Sequence, residues 1–278
     1  MIKIIDIDAL FDGYISDYVY KNIGKVKPEE IEDNMPVLYE KFGDEKLAEL
    51  DGKTPNTYYV DATAEELLTV LKGHIEGGVS VPDFLCEAIT AKAENESALV
   101  SALKEENSEE FTLYLLNLLC DIGCTAYYPR LLEFIMWDYS EVIRELATEL
   151  LHDGATIMKE EIIAQFAEAD QARKACLTEV LSYADKDDRI FDILVMEFAR
   201  HQENIPLYAG HLAKYGDERA LPFLMQAIES ENIKYADFEE LRFAIEALGG
   251  EYTKERDFSK EATYKKIKGV KAGKSKKA

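Results

Sequence analysis

Four histidines, four cysteines and 55 acidic residues are the groups in this chain able to ligate a metal, move a proton or attack an electrophile. Histidine ligands reveal themselves by spacing, because two of them must share a helix face or meet across a short turn. His74, His152, His201 and His211 form no HExxH pattern, and the residues that follow them are Ile75, Asp153, Gln202 and Leu212. Each is expected to be structural, exposed or hydrogen-bonded. Cys86, Cys120, Cys124 and Cys176 lie in apolar helical patterns with no CxxC pair, so reduced, buried thiols are expected. The acidic stretch ADKDDRIFD, from Ala184 to Asp192, lacks the glycine and terminal glutamate of a calcium loop and reads as a solvated turn. There is no glycine-rich phosphate loop and no GxSxG. No catalytic residue, no metal and no other cofactor is expected.

What the chain carries instead is a regular scaffold. Stepping back by 31 residues from Gly216 gives Asp185, Gly154 and Gly123, each just after an amphipathic run. Before them, Leu119, Leu150, Leu181 and Leu212 share one phase, with Leu115, Leu146, Leu177 and Tyr208 one turn earlier. After them come Leu131 with Leu132, Ile162 with Ile163, Ile193 with Leu194, and Leu224 with Met225. The period therefore predicts helical hairpins, each with an apolar stripe on both helices that only a neighbouring hairpin can bury. Gly216 marks where a first helix stops, since a residue past a helix C-terminus often takes positive φ at no cost to glycine. Pro222 lies at the start of the next helix, where its missing N–H is harmless. Gly123 and Pro129 repeat that spacing.

The segment YGDERALPFLMQAIES, Tyr215 to Ser230, resembles the short HEAT-like repeat of phycobilisome-lyase-type proteins, a branch of the armadillo-type α-solenoids. Ile122 to Phe134 is similar to it as well, whereas the corners at Gly154 and Asp185 lack the proline. The resemblance covers roughly residues 81–250. It implies an all-α fold, a right-handed α-solenoid of about five HEAT-like hairpins with an N-terminal helical extension. The matched residues build a corner and belong to no active site. Deoxyhypusine hydroxylases, HEAT-like enzymes, hold a di-iron site in paired His-Glu dipeptides, and no histidine here precedes a glutamate. Alkylpurine DNA glycosylases, also HEAT-like, need a cationic groove. Trp137, Asp138, Tyr127, Tyr128 and Tyr139 offer aromatic material, yet the cations near them, Arg130, Lys159 and Arg189, are scattered. Tetratricopeptide repeats have a similar period, but their glycine lies within the first helix and their Ala and Pro positions are unfilled here.

Three segments follow: residues 1–80 as a helical extension, 81–250 as the repeats, and 251–278 as a basic tail expected to be disordered. In the extension, Thr63 and Glu66 form a capping box, Pro36 divides a helix, and the tyrosines of TPNTYY are expected to plug a loop onto the core. The chain has 278 residues, 47% hydrophobic, and a formal charge of −23. From Ser259 to Ala278 there are eight lysines and one glutamate, a charge of +7, which leaves −23 − 7 = −30 on residues 1–258. Such a body repels phosphate backbones, so nucleic acid is expected only through the tail. With no roughly 20-residue apolar run and no secretory leader pattern, no membrane partner and a cytoplasmic location are expected.

The expected function is a non-catalytic protein-protein interaction scaffold. The alternative is a HEAT-repeat enzyme acting on a modified protein or nucleic acid. With Leu131, Leu132 and Ile135 turned inward, the opposite positions on that second helix are Arg130, Glu133 and Trp137, and steps of 31 lead to Glu161, Glu168 and Asp192. These six are the predicted groove residues for a basic or amphipathic partner segment.

Overall fold

In the computed structural model, residues 2–23, 28–105 and 107–266 are described, and they contain helices and no strand. The helices are α1 (Ile7–Lys21), α2 (Pro28–Asp33), α3 (Met35–Gly43), α4 (Pro55–Tyr58), α5 (Ala64–Gly77), α6 (Asp83–Thr90), α7 (Glu96–Ala102) and α8 (Glu109–Ile122). There follow α9 (Tyr128–Met136), α10 (Glu141–Leu150), α11 (Ala155–Phe166), α12 (Gln171–Leu181), α13 (Asp188–Arg200), α14 (Ile205–Tyr215), α15 (Leu221–Ile228) and α16 (Tyr235–Ala247), then a short helix at 262–266. None is long and apolar enough to cross a membrane among the described residues. The fold is all-α, in two compact units, Met1–Arg130 and Leu131–Ala278.

In the first unit, the capping box at α5 forms: Glu66 N–H donates to Thr63 Oγ1 at 3.3 Å and Thr63 N–H to Glu66 Oε2 at 3.1 Å. Pro36 follows the break between α2 and α3. The paired tyrosines at the end of α4 do go inward, Tyr59 fully buried and edge-to-face with Tyr58 at 4.9 Å. Phe11, Tyr39, Phe42 and Phe84 bring α1, α3 and α6 together, with ring centroids 5.0 to 6.4 Å apart. The thiols depart from expectation. None of the four is in a disulfide, but only Cys124 is buried, donating to Glu96 at 3.1 Å, while Cys120 is exposed. Cys86 lies between these extremes, and burial pushes its thiol up to about 11.

In the second unit, α10 packs on α12, α12 on α14 and α14 on α16, while α11 and α13 lie against α12. Ser140 and Asp170 cap the N-termini of α10 and α12, each accepting the backbone N–H three residues on. Side chains one period apart meet. His152 stacks on Tyr183 at 3.8 Å, and the Lys214 ammonium stands 4.2 Å from the centre of that same ring. The corner arginines reach back in the same way: Arg189 grips Glu160 through both terminal nitrogens, and Arg219 donates to Asp188 at 2.8 Å.

Gly216 ends α14 with φ +72°, and Gly123 ends α8 with φ +73°. Gly154 differs, with φ −91° at the N-terminus of α11. The helix before it departs from the expected phase: α10 buries Ile143 and Ala147, followed by Leu151, and leaves Leu146 and Leu150 only half-buried. The start of the segment expected as a disordered tail lies on the last hairpin. Phe258 and Tyr264 stand 5.4 and 4.9 Å from Tyr235, Tyr252 meets Phe238, and Lys254 pairs with Glu229 at 2.5 Å. Aromatic burial against α16 accounts for that order, which a charge pattern alone does not encode. Residues 267–278, the Lys-rich end, lie outside the described residues.

Candidate protein-binding groove

α15 buries Leu224 and Ile228, so Phe223, Gln226, Ala227 and Ser230, at helical spacing on the other side, face outward. α13 buries Ile190, Ile193, Leu194 and Phe198, which places Asp192, Val195, Met196 and Ala199 on its outer side. These two sets are register partners, each residue 31 positions from its counterpart. Between the helices runs a groove of about 280 Å³ whose lining includes Phe198, Ala199 and Gln202 from the α13 side and Phe223, Gln226 and Ser230 from α15. Phe223 is 40% and Met196 44% exposed. Two large apolar side chains one register step away from each other's row leave greasy surface open to water, with small residues beside them giving access. The Gln226 amide is exposed and has no side-chain hydrogen bond among the described residues, so its donors and acceptor are open to water at the groove.

The predicted residues fall as follows. Leu131, Leu132 and Ile135 are buried, Glu133 lies on the exposed side of α9, and Trp137, just past its end, is 65% exposed. Arg173 from α12 holds the next residue, Asp138, at 2.6 Å, and Tyr139 packs edge-to-face on Phe134 at 4.7 Å. Together they fix the turn that presents Trp137. Glu161 on α11, Glu168 beyond it and Asp192 on α13 are exposed and form no ion pair among the described residues. Arg130 lies in the first unit, half-buried, its Nε donating to the Leu103 carbonyl at 3.2 Å. The residues missed were Phe223 and Ser230, although one more step of 31 from Asp192 reaches Phe223. Of the aromatic candidates, Tyr127 and Tyr128 are buried against each other at 5.5 Å.

The buried side of α13 includes a carboxyl group. Glu197 is fully buried; Oε1 accepts from Arg200 at 3.0 Å and Oε2 stands 3.4 Å from His201 Nε2. His201 also meets Glu203 at 2.7 Å and stacks on Tyr208 at 4.8 Å. His152 bonds Glu179 at 3.1 Å, which holds that carboxyl below its usual range. Burial keeps the His211 imidazole below its ordinary pKa. In the first unit His74 Nδ1 lies 2.7 Å from the Ser80 carbonyl. Among the described residues no three His, Cys, Asp or Glu side chains gather as metal donors. Compared with known proteins, the chain matches no family model, no curated protein and no solved structure.

Proposed function

We propose that this chain is a right-handed α-solenoid of HEAT-like hairpins acting as a non-catalytic protein-binding scaffold. Its groove between α13 and α15 receives a basic or amphipathic segment of a partner. The repeat reading is supported by contacts between residues about one period apart in the second unit, such as His152 with Tyr183 and Asp188 with Arg219. One observation carries the binding reading: Phe223, 40% exposed, stands open in the lining of a groove of about 280 Å³. The unpaired carboxylates of Glu161 and Asp192 occupy the Phe223 register on the two preceding second helices, and the chain outside its last 20 residues has a charge of −30. Apolar anchors with acidic neighbours suit a segment that alternates greasy and cationic side chains.

Affinity capture from the native cell tests it. Phe223→Ser and Asp192→Lys each lower retention of the bound partner, Phe223→Ser by roughly 30-fold in Kd if the ring is an anchor worth about 2 kcal/mol. Phe243, 67% exposed on α16, is the control, and Phe243→Ser leaves binding unchanged. Equal partner retention by the wild type and both groove variants refutes the assignment.

A further inference from the structure

The segment from Ile2 to Asp6 precedes α1 and belongs to no helix or strand. It is tied down along one edge. The Tyr58 hydroxyl accepts from the Lys3 N–H at 3.2 Å and donates to the Lys3 carbonyl at 3.4 Å, while Lys3 Nζ pairs with Asp51 at 2.7 Å. Lys3 thus turns both its N–H and its C=O to one partner, as a residue of an extended chain can, and in such a chain the same groups of its neighbours face the other way. Those neighbours are Ile2 and Ile4. Their backbone groups bond to nothing among the described residues, and Ile4 is 47% exposed.

Beside them lies a groove of about 390 Å³ lined by Ile2, Ile4, Thr69 and Val70, with the carboxylates of Glu65 and Glu66 among its walls. Gly73 lets Ile4 rest on α5, since a Cβ there would overlap Ile4 Cδ1. Glu66 is engaged at the N-terminus of α5, but Glu65 makes no ion pair among the described residues. Unpaired backbone groups next to an apolar groove are the arrangement that captures an added strand.

We propose that this edge binds an extended segment of a partner protein that alternates apolar and basic side chains. Its main chain pairs with Ile2 and Ile4, its apolar side chains fill the groove beside Val70, and its basic ones meet Glu65. A second copy of this chain is a poorer occupant, because it would set Asp6, Asp8 and Glu65 against their own kind. The site lies in the first unit and stands apart from the α13 groove reading.

The test uses the full chain and a labelled nine-residue peptide alternating valine and lysine, with a block peptide of the same composition as control. Fluorescence anisotropy is expected to give at least ~10-fold tighter binding for the alternating peptide. Ile4→Pro, which removes one edge N–H, weakens it by a further ~10-fold, more than Ile4→Ala does. In the wild-type chain, hydrogen exchange at the Ile4 amide slows when the peptide is bound, a readout independent of whether the proline variant folds. Equal affinity for the two peptides, an unprotected Ile4 amide, or self-association that disappears in Ile4→Pro overturns the proposal.

Discussion

Gly210 and Gly216 sit six residues apart at the end of one hairpin helix, and replacing each by alanine is expected to move stability in opposite directions. Gly216 closes α14 with φ +72° and ψ 30°, a left-handed conformation. A Cβ built there meets only Lys186 Nζ at 3.5 Å and two backbone oxygens at 3.9 and 4.0 Å, which is ordinary contact. Crowding therefore contributes little, and the cost is the conformation itself, about 1–2 kcal/mol for an L-residue. The narrower unfolded ensemble of alanine offsets part of this, about 0.4–1 kcal/mol, leaving a net loss near 1 kcal/mol. Gly210 lies inside α14, exposed, with nothing within 4 Å of its notional Cβ. There alanine gains helix propensity, about 0.5–1 kcal/mol. Urea titration and thermal melting measure both, and at roughly 2–4 °C per kcal/mol the two variants separate by several degrees. Gly216→Asn should fall between glycine and alanine, since asparagine tolerates the left-handed region better. Two alanine variants that shift the midpoint in the same direction refute the assignment of Gly216 as a conformational stop.

Two further outcomes follow from buried ionisable groups. His211 is buried and its folded pKa lies below the ordinary 6.5, so the unfolded chain takes up the proton first. Its contribution is complete above about pH 6.5 and is lost as the pH falls towards the folded value, with Glu179 opposing and His152 adding to the depression. Urea midpoints from pH 7.5 to 5 should show that decline, and His211→Phe should flatten it. Glu197→Met removes a fully buried carboxylate while Arg200, more than half exposed, returns to water and His201 keeps Glu203. It is expected to be neutral or stabilising, by up to a few kcal/mol, and a loss above about 1 kcal/mol in chemical denaturation refutes that.

Much of this molecule is written locally. The Thr63–Glu66 box, the stops at Gly123 and Gly216 and the prolines that open α9 and α15 each depend on a few neighbouring residues, so the chain order alone reveals them. The 31-residue step is legible for the same reason, and residues one step apart, such as His152 and Tyr183, do meet. It faltered where a helix's rotation depends on what packs against it: α10 buries Ile143 and Ala147 rather than Leu146 and Leu150, which the 31-residue step does not announce. The exposure of the predicted positions was legible in part. Asp192, Glu161 and Glu168 are exposed as their periodicity required, but the open apolar centre is Phe223, one step further on, where a gap between helices rather than a charge pattern defines the place.

The sequence by itself determined that the chain is helical, where several helices stop and that its body is acidic, because backbone preference, capping and net charge are additive over short stretches. Only tertiary structure decided that Tyr58 ties down Lys3 from 55 residues away, that Phe258 and Tyr264 draw the start of the tail onto Tyr235, and that Cys120 faces water. Those outcomes rest on which surfaces meet. That is set by packing between segments distant in the chain, where a side chain's burial is a property of its neighbours as much as of itself.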